Sequence, residues 1–491
     1  MSPSEPTTFP LEVIAEDMAT ELYVIDGNFQ VIDRGVGCTT FELPPGIYKV
    51  KACSGKVQSE TLVAVRGPSQ EPLRIAPLAF ASPIPLANTA QTHEFHMAAA
   101  KSAMHNVHAT VGDGSAIVVV VRRWTAAEAG QRAGTFPDPS RGLRLHTMSG
   151  NLLVDIEATA QKNLNDEPWA ICHVALDPGA YRLVLEHPDG RRLEQTLITA
   201  PGWQTRVFLL AGEEHADISG AAISMRKTGS SFAVDDADAR LEELAREAIV
   251  QNRKILSLEL RMRLQQSDVP PILGILGMHL LIREAKRNKL AREQNPDEKI
   301  DTIDNVGPVQ AIIANLRASI GKHPDVEAIA IGAGLADPEY VFDVPPMLRL
   351  SWRLLLKASA DNPALVARGS LSDEAAKRLW GDGPWFIWID PATDPVRDRD
   401  AGWRRKAIRI LTLLEDIPTT TTEETPLPSA AAEHENLGRL FERVNAAAER
   451  GVIEGQRIRM RLNPERRRNL VKQVGVPMAT IDAWLDEIAK R

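Results

Sequence analysis

Two stretches of this chain say nearly the same thing. Leu43 to Lys56 reads LPPGIYKVKACSGK, and Leu176 to Arg191 reads LDPGAYRLVLEHPDGR. In each, a Pro-Gly turn (Pro45-Gly46 or Pro178-Gly179) leads into an alternating run. Tyr48, Val50 and Ala52 fall on one side of that run and Lys49 and Lys51 on the other; in the second copy Tyr181, Arg182 and Val184 occupy comparable places with less regular alternation. A period of two after such a turn predicts a strand with one wet face. A second turn, Ser54-Gly55 or Asp189-Gly190, then predicts a hairpin into KVQSETLVAV or RRLEQTLITA. Tyr48 and Tyr181 are 133 residues apart and Thr61 and Thr196 are 135 apart, so the insertion falls at the hairpin, where it is cheapest. Upstream, ELYVIDGNFQVID and RLHTMSGNLLVDI match as strand-turn-strand pieces with Gly-Asn at the bend. A duplicated antiparallel β module is the simplest reading.

A chain of 491 residues exceeds what one core organises, and roughly three domains are expected. Apolar residues at 44% and charged residues at 25% are those of an ordinary globular protein. The net charge of −8 gives no global attraction to nucleic acid or to an anionic membrane. MSPSEPTTFPLEVIAEDMATE has neither the basic nor the apolar region of a secretion signal, and the most apolar window, Ile272 to Ile282, is about half the ~20 residues a bilayer needs. A cytoplasmic location is expected, without membrane attachment. Cys38, Cys53 and Cys172 are odd in number, lack metal-ligand spacing and read as buried small hydrophobes.

The PPG-aromatic-basic-Val phrase with its Gly hairpin resembles the PEGA and carboxypeptidase-regulatory-like families of small β-sandwiches, over residues 20–80 and 142–212. Members are mostly binding or spacer modules, which implies a scaffold role. Partner recognition through loops or a free sheet edge stands beside plain packing against the rest of the chain.

Between the copies, LANTAQTHEFHMAAAKSAMHNVHATVGDG carries His93, His96, His105 and His108 as two HxxH pairs. Three-residue spacing puts each pair on one helix face, and four imidazoles can hold Zn²⁺. Equally, the stretch reads as an Ala-rich helix crossing a sheet with hydrogen-bonded histidines. HEFH has the wrong spacing for a zinc-hydrolase helix. SAIVVVVRRW, from Ser115, predicts a central strand of the second module.

From Asp235 the period becomes 3.6. DADARLEELAREAIVQNRKILSLELRMRL opens with Asp suited to an N-cap, and PPILGILGMHLLI is apolar nearly all round, with Gly274 and Gly277 suited to close helix packing. Further short helices with Pro/Gly connectors predict a bundle or short solenoid. Trp380, Trp385, Trp388 and Trp403 read either as an aromatic-walled binding surface or as the core of a small capping element. From DVPPILGILGMHLLI through PPMLRLSW to LWGDGPWFIW, residues 240–392, the region resembles uncharacterised bacterial proteins that accompany caspase-like or trypsin-like peptidases in signalling and defence modules. That implies an adaptor with such a peptidase as partner, and supplies no catalytic residue. The chain itself has no caspase-type Cys motif (Cys172 sits in WAICHVAL), no G-x-S-x-G elbow and no phosphate loop, and GAGLAD lacks the third Gly of a dinucleotide site.

Asp416 to Glu435 is Pro/Thr-rich and acidic and reads as a linker. Beyond it, LVKQVGVPMATIDAWL has the spacing of a helix-turn-helix with Gly475 in the turn. Arg457, Arg459, Arg461, Arg466, Arg467, Arg468 and Lys472 precede or enter it, whereas Asp482, Asp486 and Glu487 lie on the second helix, where they would face phosphates badly.

The expectation is therefore a multidomain α+β protein. Two antiparallel β-sandwich modules occupy 10–80 and 115–212, joined by a segment with a short helix at 81–114. An α-helical bundle or short solenoid fills 235–415, a linker 416–435, and a small helical interaction domain 436–491. The function expected is that of a non-enzymatic adaptor or sensor docking a protein through Arg466, Arg467, Arg468, Lys472, Asp482, Trp484 and Asp486. Two rivals remain: a DNA-binding regulator using Val471 to Leu485, and a metal-dependent hydrolase using the four histidines. No cofactor is expected and no catalytic residue is singled out.

Overall fold

The computed structural model describes residues 7–67, 71–87, 89–90, 94–105, 114–123, 137–164, 168–253, 256–294, 306–394, 402–406 and 464–489. The fold is mixed α+β with four small sheets.

Seven strands form the first unit: β1 (Phe9–Ala15), β2 (Glu21–Ile25), β3 (Val31–Val36), β4 (Cys38–Leu43), β5 (Gly46–Ser54), β6 (Val57–Val65) and β7 (Leu73–Ile75). They make a sheet of order β3-β2-β5-β6 and another of order β4-β1-β7. Leu11, Val13, Phe41 and Ile75 of one sheet share a buried core with Leu22, Val24, Tyr48, Val50 and Ala52 of the other. Alternation on β5 is as expected, Lys49 and Lys51 being half-buried between buried Tyr48, Val50 and Ala52.

The second unit repeats that path. Its strands are β8 (Ser115–Arg123), β9 (Leu143–Thr147), β10 (Leu152–Asp155), β11 (Gln161–Asn163), β12 (Trp169–Leu176), β13 (Gly179–Glu186), β14 (Arg192–Thr199), β15 (Trp203–Ala211) and β16 (Ala222–Lys227). β10-β9-β13-β14 corresponds to β3-β2-β5-β6, and β12-β8-β15 to β4-β1-β7. The duplication thus takes in β1 and β8, beyond the stretches whose sequences look alike. Tyr48 donates to Pro44 O at 2.8 Å and Tyr181 to Asp177 O at 2.7 Å, the same four-residue closure of the Pro-Gly turn in both copies.

One expectation is corrected. The units are not purely antiparallel, because β7 runs parallel to β1 and β15 parallel to β8. The chain visits the other sheet twice between β8 and β15. The first return, β12, lies antiparallel to β8 on one side, and the second, β15, lies parallel to it on the other, a pairing that a hairpin cannot make and only a long crossover connection can.

β8 is buried along its whole length. Ile117, Val119 and Val121 face the opposite sheet, while Val118 and Val120 pack with Ala100 and Met104 of α1 (Glu94–His105). The Ala-rich helix therefore lies across the sheet, small side chains allowing close approach. A short helix, α2 (Ile156–Thr159), is capped by Asp155.

The helical part comprises α3 (Ala237–Gln251), α4 (Leu258–Leu264), α5 (Pro271–Gln294), α6 (Val306–Ile320), α7 (Pro324–Gly332), α8 (Arg349–Ser359) and α9 (Leu371–Ala376). Asp236 caps α3, accepting from Ala239 N at 3.0 Å. A Cβ on Gly277 would fall 2.4 Å from Leu264 Cδ2, and one on Gly274 would fall 2.9 Å from Leu316 Cδ2, so both glycines admit α4 and α6 closely to α5. The core of the second strand unit runs without a break into Leu241, Leu244, Leu273, Leu276 and Leu316 of these helices.

The WFIWI stretch belongs to that continuity. β17 (Ile387–Ile389) pairs antiparallel with β14 and becomes the fifth strand of its sheet. Trp385 and Trp388 are buried, Trp385 Nε1 donating to Ala221 O at 2.6 Å. Trp380 is half-buried beneath the Arg191 guanidinium, 4.0 Å from its ring centroid. Core packing, rather than an aromatic wall, accounts for Trp385 and Trp388.

An ion pair and a hydrogen bond tie the first unit and the segment that follows it to α3. Arg240 of α3 forks onto Asp17 and Leu78 O, and Ser82 Oγ donates to Glu243 Oε2 at 2.8 Å. The described residues include no helix long and apolar enough to cross a membrane.

Candidate functional site

Helices α10 (Pro464–Val474) and α11 (Met478–Ala489) form the pair foreseen at the C-terminal end. Gly475 sits in the turn with φ +85°, a conformation that a side chain would strain, and its N–H donates to Val471 O at 2.8 Å. Leu470, Val471, Val474, Val476, Met478, Ile481 and Trp484 pack into a core of which Ala360 is, among the described residues, the one buried member from the body. Trp403, which donates to Lys377 O at 2.9 Å, packs against its edge.

Polar contacts complete the seat. Thr480 Oγ1 lies 2.5 Å from Asp373 Oδ1, a buried carboxylate whose other oxygen takes the Lys377 ammonium at 3.1 Å. Arg468 Nε donates to Asp361 Oδ2 at 2.9 Å, and Met478 N to Ser359 Oγ at 3.4 Å.

The seven residues expected to bind a partner are thereby divided. Trp484 is inside the core of the pair. Arg467 faces Asp482 at 3.6 Å, joining one expected basic residue to one expected acidic one within the pair. Arg468 and Lys472 are exposed, while Arg466, Asp482 and Asp486 are half-buried. The linker 416–435 and Arg457, Arg459 and Arg461 lie outside the described residues.

Of the four histidines, His96 is buried on α1; His93, His108 and the side chain of His105 lie outside the described residues. Among the described residues no group of three or more His, Cys, Asp or Glu side chains is placed to hold a metal ion.

A second feature was not legible in the sequence. A cleft of about 760 Å³ opens between β2–β4 of the first unit and the end of α3, the start of α4 and α5. Glu21 and Tyr23 lie on one wall, Arg34 and Cys38 beside them, and Arg253 and Arg287 opposite. Cys38 is exposed there, correcting its expected burial; Cys53 and Cys172 are buried as expected. Tyr23 donates to Glu21 Oε2 at 3.0 Å, and Arg253 Nη1 stands 3.9 Å from that same oxygen. Burial first, then the Glu21 carboxylate, pushes the Tyr23 hydroxyl up to about 12, so it remains a neutral donor. Arg287 is oriented by Nη2 contacts to Asn252 O and Oδ1, both 2.8 Å, at the left-handed residue closing α3. These residues come from segments more than 200 positions apart, and no local pattern joins them.

No family model matches the chain, and no curated protein matches it. A solved structure titled "The Bacillus anthracis TIE protein" aligns at 13% identity with a TM-score of 0.16, covering 46% of this chain and 32% of that one. A score at that level carries no argument about fold, and the alignment spans about a third of that protein's length.

Proposed function

We propose that the chain is a non-enzymatic adaptor whose α+β body presents the helix pair 464–489 to a protein partner. The observation that carries this reading is the ownership of the core beneath the pair. Seven apolar side chains of the pair bury one another and, among the described residues, only Ala360 of the body joins them as a fully buried member. The seat beside that core is held by polar contacts, Thr480 to Asp373 and Arg468 to Asp361, which the polar groups of a partner can replace. Arg468 and Lys472 remain exposed to a partner while it is seated. We take the two strand units as β-sandwiches of the PEGA-like kind, acting as spacers for a helical bundle. The resemblance of residues 240–392 to proteins accompanying peptidases makes a caspase-like or trypsin-like peptidase the partner class, within a bacterial signalling or defence module.

The test compares capture from the native host by the full chain, by a chain lacking 436–491, and by Lys472→Glu. A peptidase-domain protein held by the full chain and lost from both variants supports the adaptor. Identical partners on all three baits overturn it.

A second reading draws on the helix–Gly475–helix turn with its exposed Arg468 and Lys472, which suits DNA. Asp482 and Asp486 on the second helix, and the engagement of Trp484 in the core, weigh against it. A gel shift that weakens steeply with salt would favour DNA instead.

A further inference from the structure

We infer that the cleft between the first strand unit and the helices binds a small anionic ligand carrying a phosphate or carboxylate group. This goes beyond the adaptor reading and does not rest on the helix pair.

The protein as a whole carries a net charge of −8, yet three guanidinium groups, Arg34, Arg253 and Arg287, line this one cleft. Two carboxylates share it. Glu284 is engaged by Arg261, which stands outside the lining, and Glu21 accepts from Tyr23. The local balance is therefore positive, and arginine is the side chain whose forked donors match the oxygens of phosphate and carboxylate.

Arg253 gives the more specific indication. Its Nη1 is buried and has no hydrogen-bond partner among the described residues. The Glu21 oxygen at 3.9 Å attracts it but lies beyond hydrogen-bond reach. The Arg253 guanidinium is thus not saturated by the protein, and its charge, on a half-buried side chain at the cleft wall, is of the kind that a charge-assisted hydrogen bond to an oxyanion satisfies. Arg287, pinned through Nη2 to Asn252, presents its guanidinium from α5 in a fixed orientation. Arg34 stands over the Tyr23 ring, 5.7 Å from its centroid, which limits its swing. At about 760 Å³ the cleft is of the size that takes a sugar phosphate or a mononucleotide.

Isothermal titration of the full chain at low salt tests this, since screening weakens such contacts. Glucose 6-phosphate and adenosine 5′-monophosphate probe the phosphate arm, citrate the carboxylate arm, and glucose and adenosine serve as neutral controls. Saturable binding of either anionic arm, absent for the neutral controls, is expected; the arm that binds names the group. Arg34→Gln and Arg253→Gln should each weaken it about tenfold or more, and Lys56→Gln, an exposed charge outside the cleft, should not. Arg34 is exposed, so its variant reports on binding even if Arg253→Gln disturbs folding. Absence of saturable binding by every anionic probe, or equal weakening by Lys56→Gln, overturns the site. Neither result bears on the helix pair, which these variants leave intact.

Discussion

Arg240 and Asp17 meet across 223 positions of sequence, two nitrogens of the guanidinium against two oxygens of the carboxylate. Nη2 stands 2.7 Å from Oδ2 and 2.9 Å from Leu78 O, and the guanidinium lies 4.9 Å from the Phe80 ring centroid. Both partners are largely removed from water, so deleting one strands the other. Arg240→Ala should cost about 1–3 kcal/mol, and the double variant with Asp17→Asn should cost less than the two single losses added together. Denaturant melts of the four proteins read the coupling. Strict additivity would mean that the fork contributes nothing.

The helix pair should respond in two separable ways. Trp484→Ala opens its core and should cost it about 3–5 kcal/mol, seen as lost amide protection along α10 and α11 with the body unchanged. Thr480→Val removes the hydroxyl from Asp373 and weakens the seat while sparing the core. Its expected signature is easier release, read by proteolysis between body and pair, with the helices themselves still protected.

Phe29, and not Gly27 as the shared Gly-Asn suggests, holds the place of Gly150 in the other copy. Each N–H closes back three residues at 3.0 Å, onto Asp26 O and Thr147 O, and each has positive φ, +62° and +92°. Glycine takes that conformation freely; phenylalanine pays about 1 kcal/mol for it, and here the residue is 81% exposed with Lys49 above its ring. Phe29→Gly should therefore leave stability unchanged or raise it by up to about 1 kcal/mol, measured as a shift in Tm. A fall in Tm would mean that the ring's contact with Lys49 outweighs the strain.

His279 sets a pH dependence. It is buried between α5 and α8 with Nε2 2.9 Å from Ser351 Oγ, and burial, reinforced by Arg283 and Lys286, pushes its imidazole down to about 3. In the unfolded chain it takes a proton near pH 6.5. Its contribution is thus whole above that pH and drains as pH falls toward 3, by about 1.4 kcal/mol per unit. Between pH 7.5 and 5 the native chain should lose about 2 kcal/mol more than His279→Gln. His323, also buried and shifted downward, acts with the same sign. Equal slopes for the two proteins would refute the assignment to His279.

What could be read from the sequence was local. The Pro-Gly turns, the alternation through Tyr48 and Val50, the apolar run of β8 and the Gly475 turn each rest on neighbours a few residues away. The parallel return of β15 to β8 and the cleft formed by Tyr23 with Arg253 depend on which distant segments meet. Local periodicity is silent on that. The correspondence of β1 with β8 was hidden for another reason: FPLEVIA wets one face, whereas SAIVVVV is covered on both, so different burial erased the likeness.

The pairing of β17 with β14 has a consequence for how the protein is made. Leu193 finds its partner Ile389 only after nearly 200 further residues have been joined. At about 5–20 residues per second, a ribosome needs on the order of ten to forty seconds to supply them. For that interval β14 stands as an open edge, with nearly every side chain destined for burial and its outward amides unclaimed. Any product released before residue 389 would carry that open edge into solution, a template for pairing with other chains.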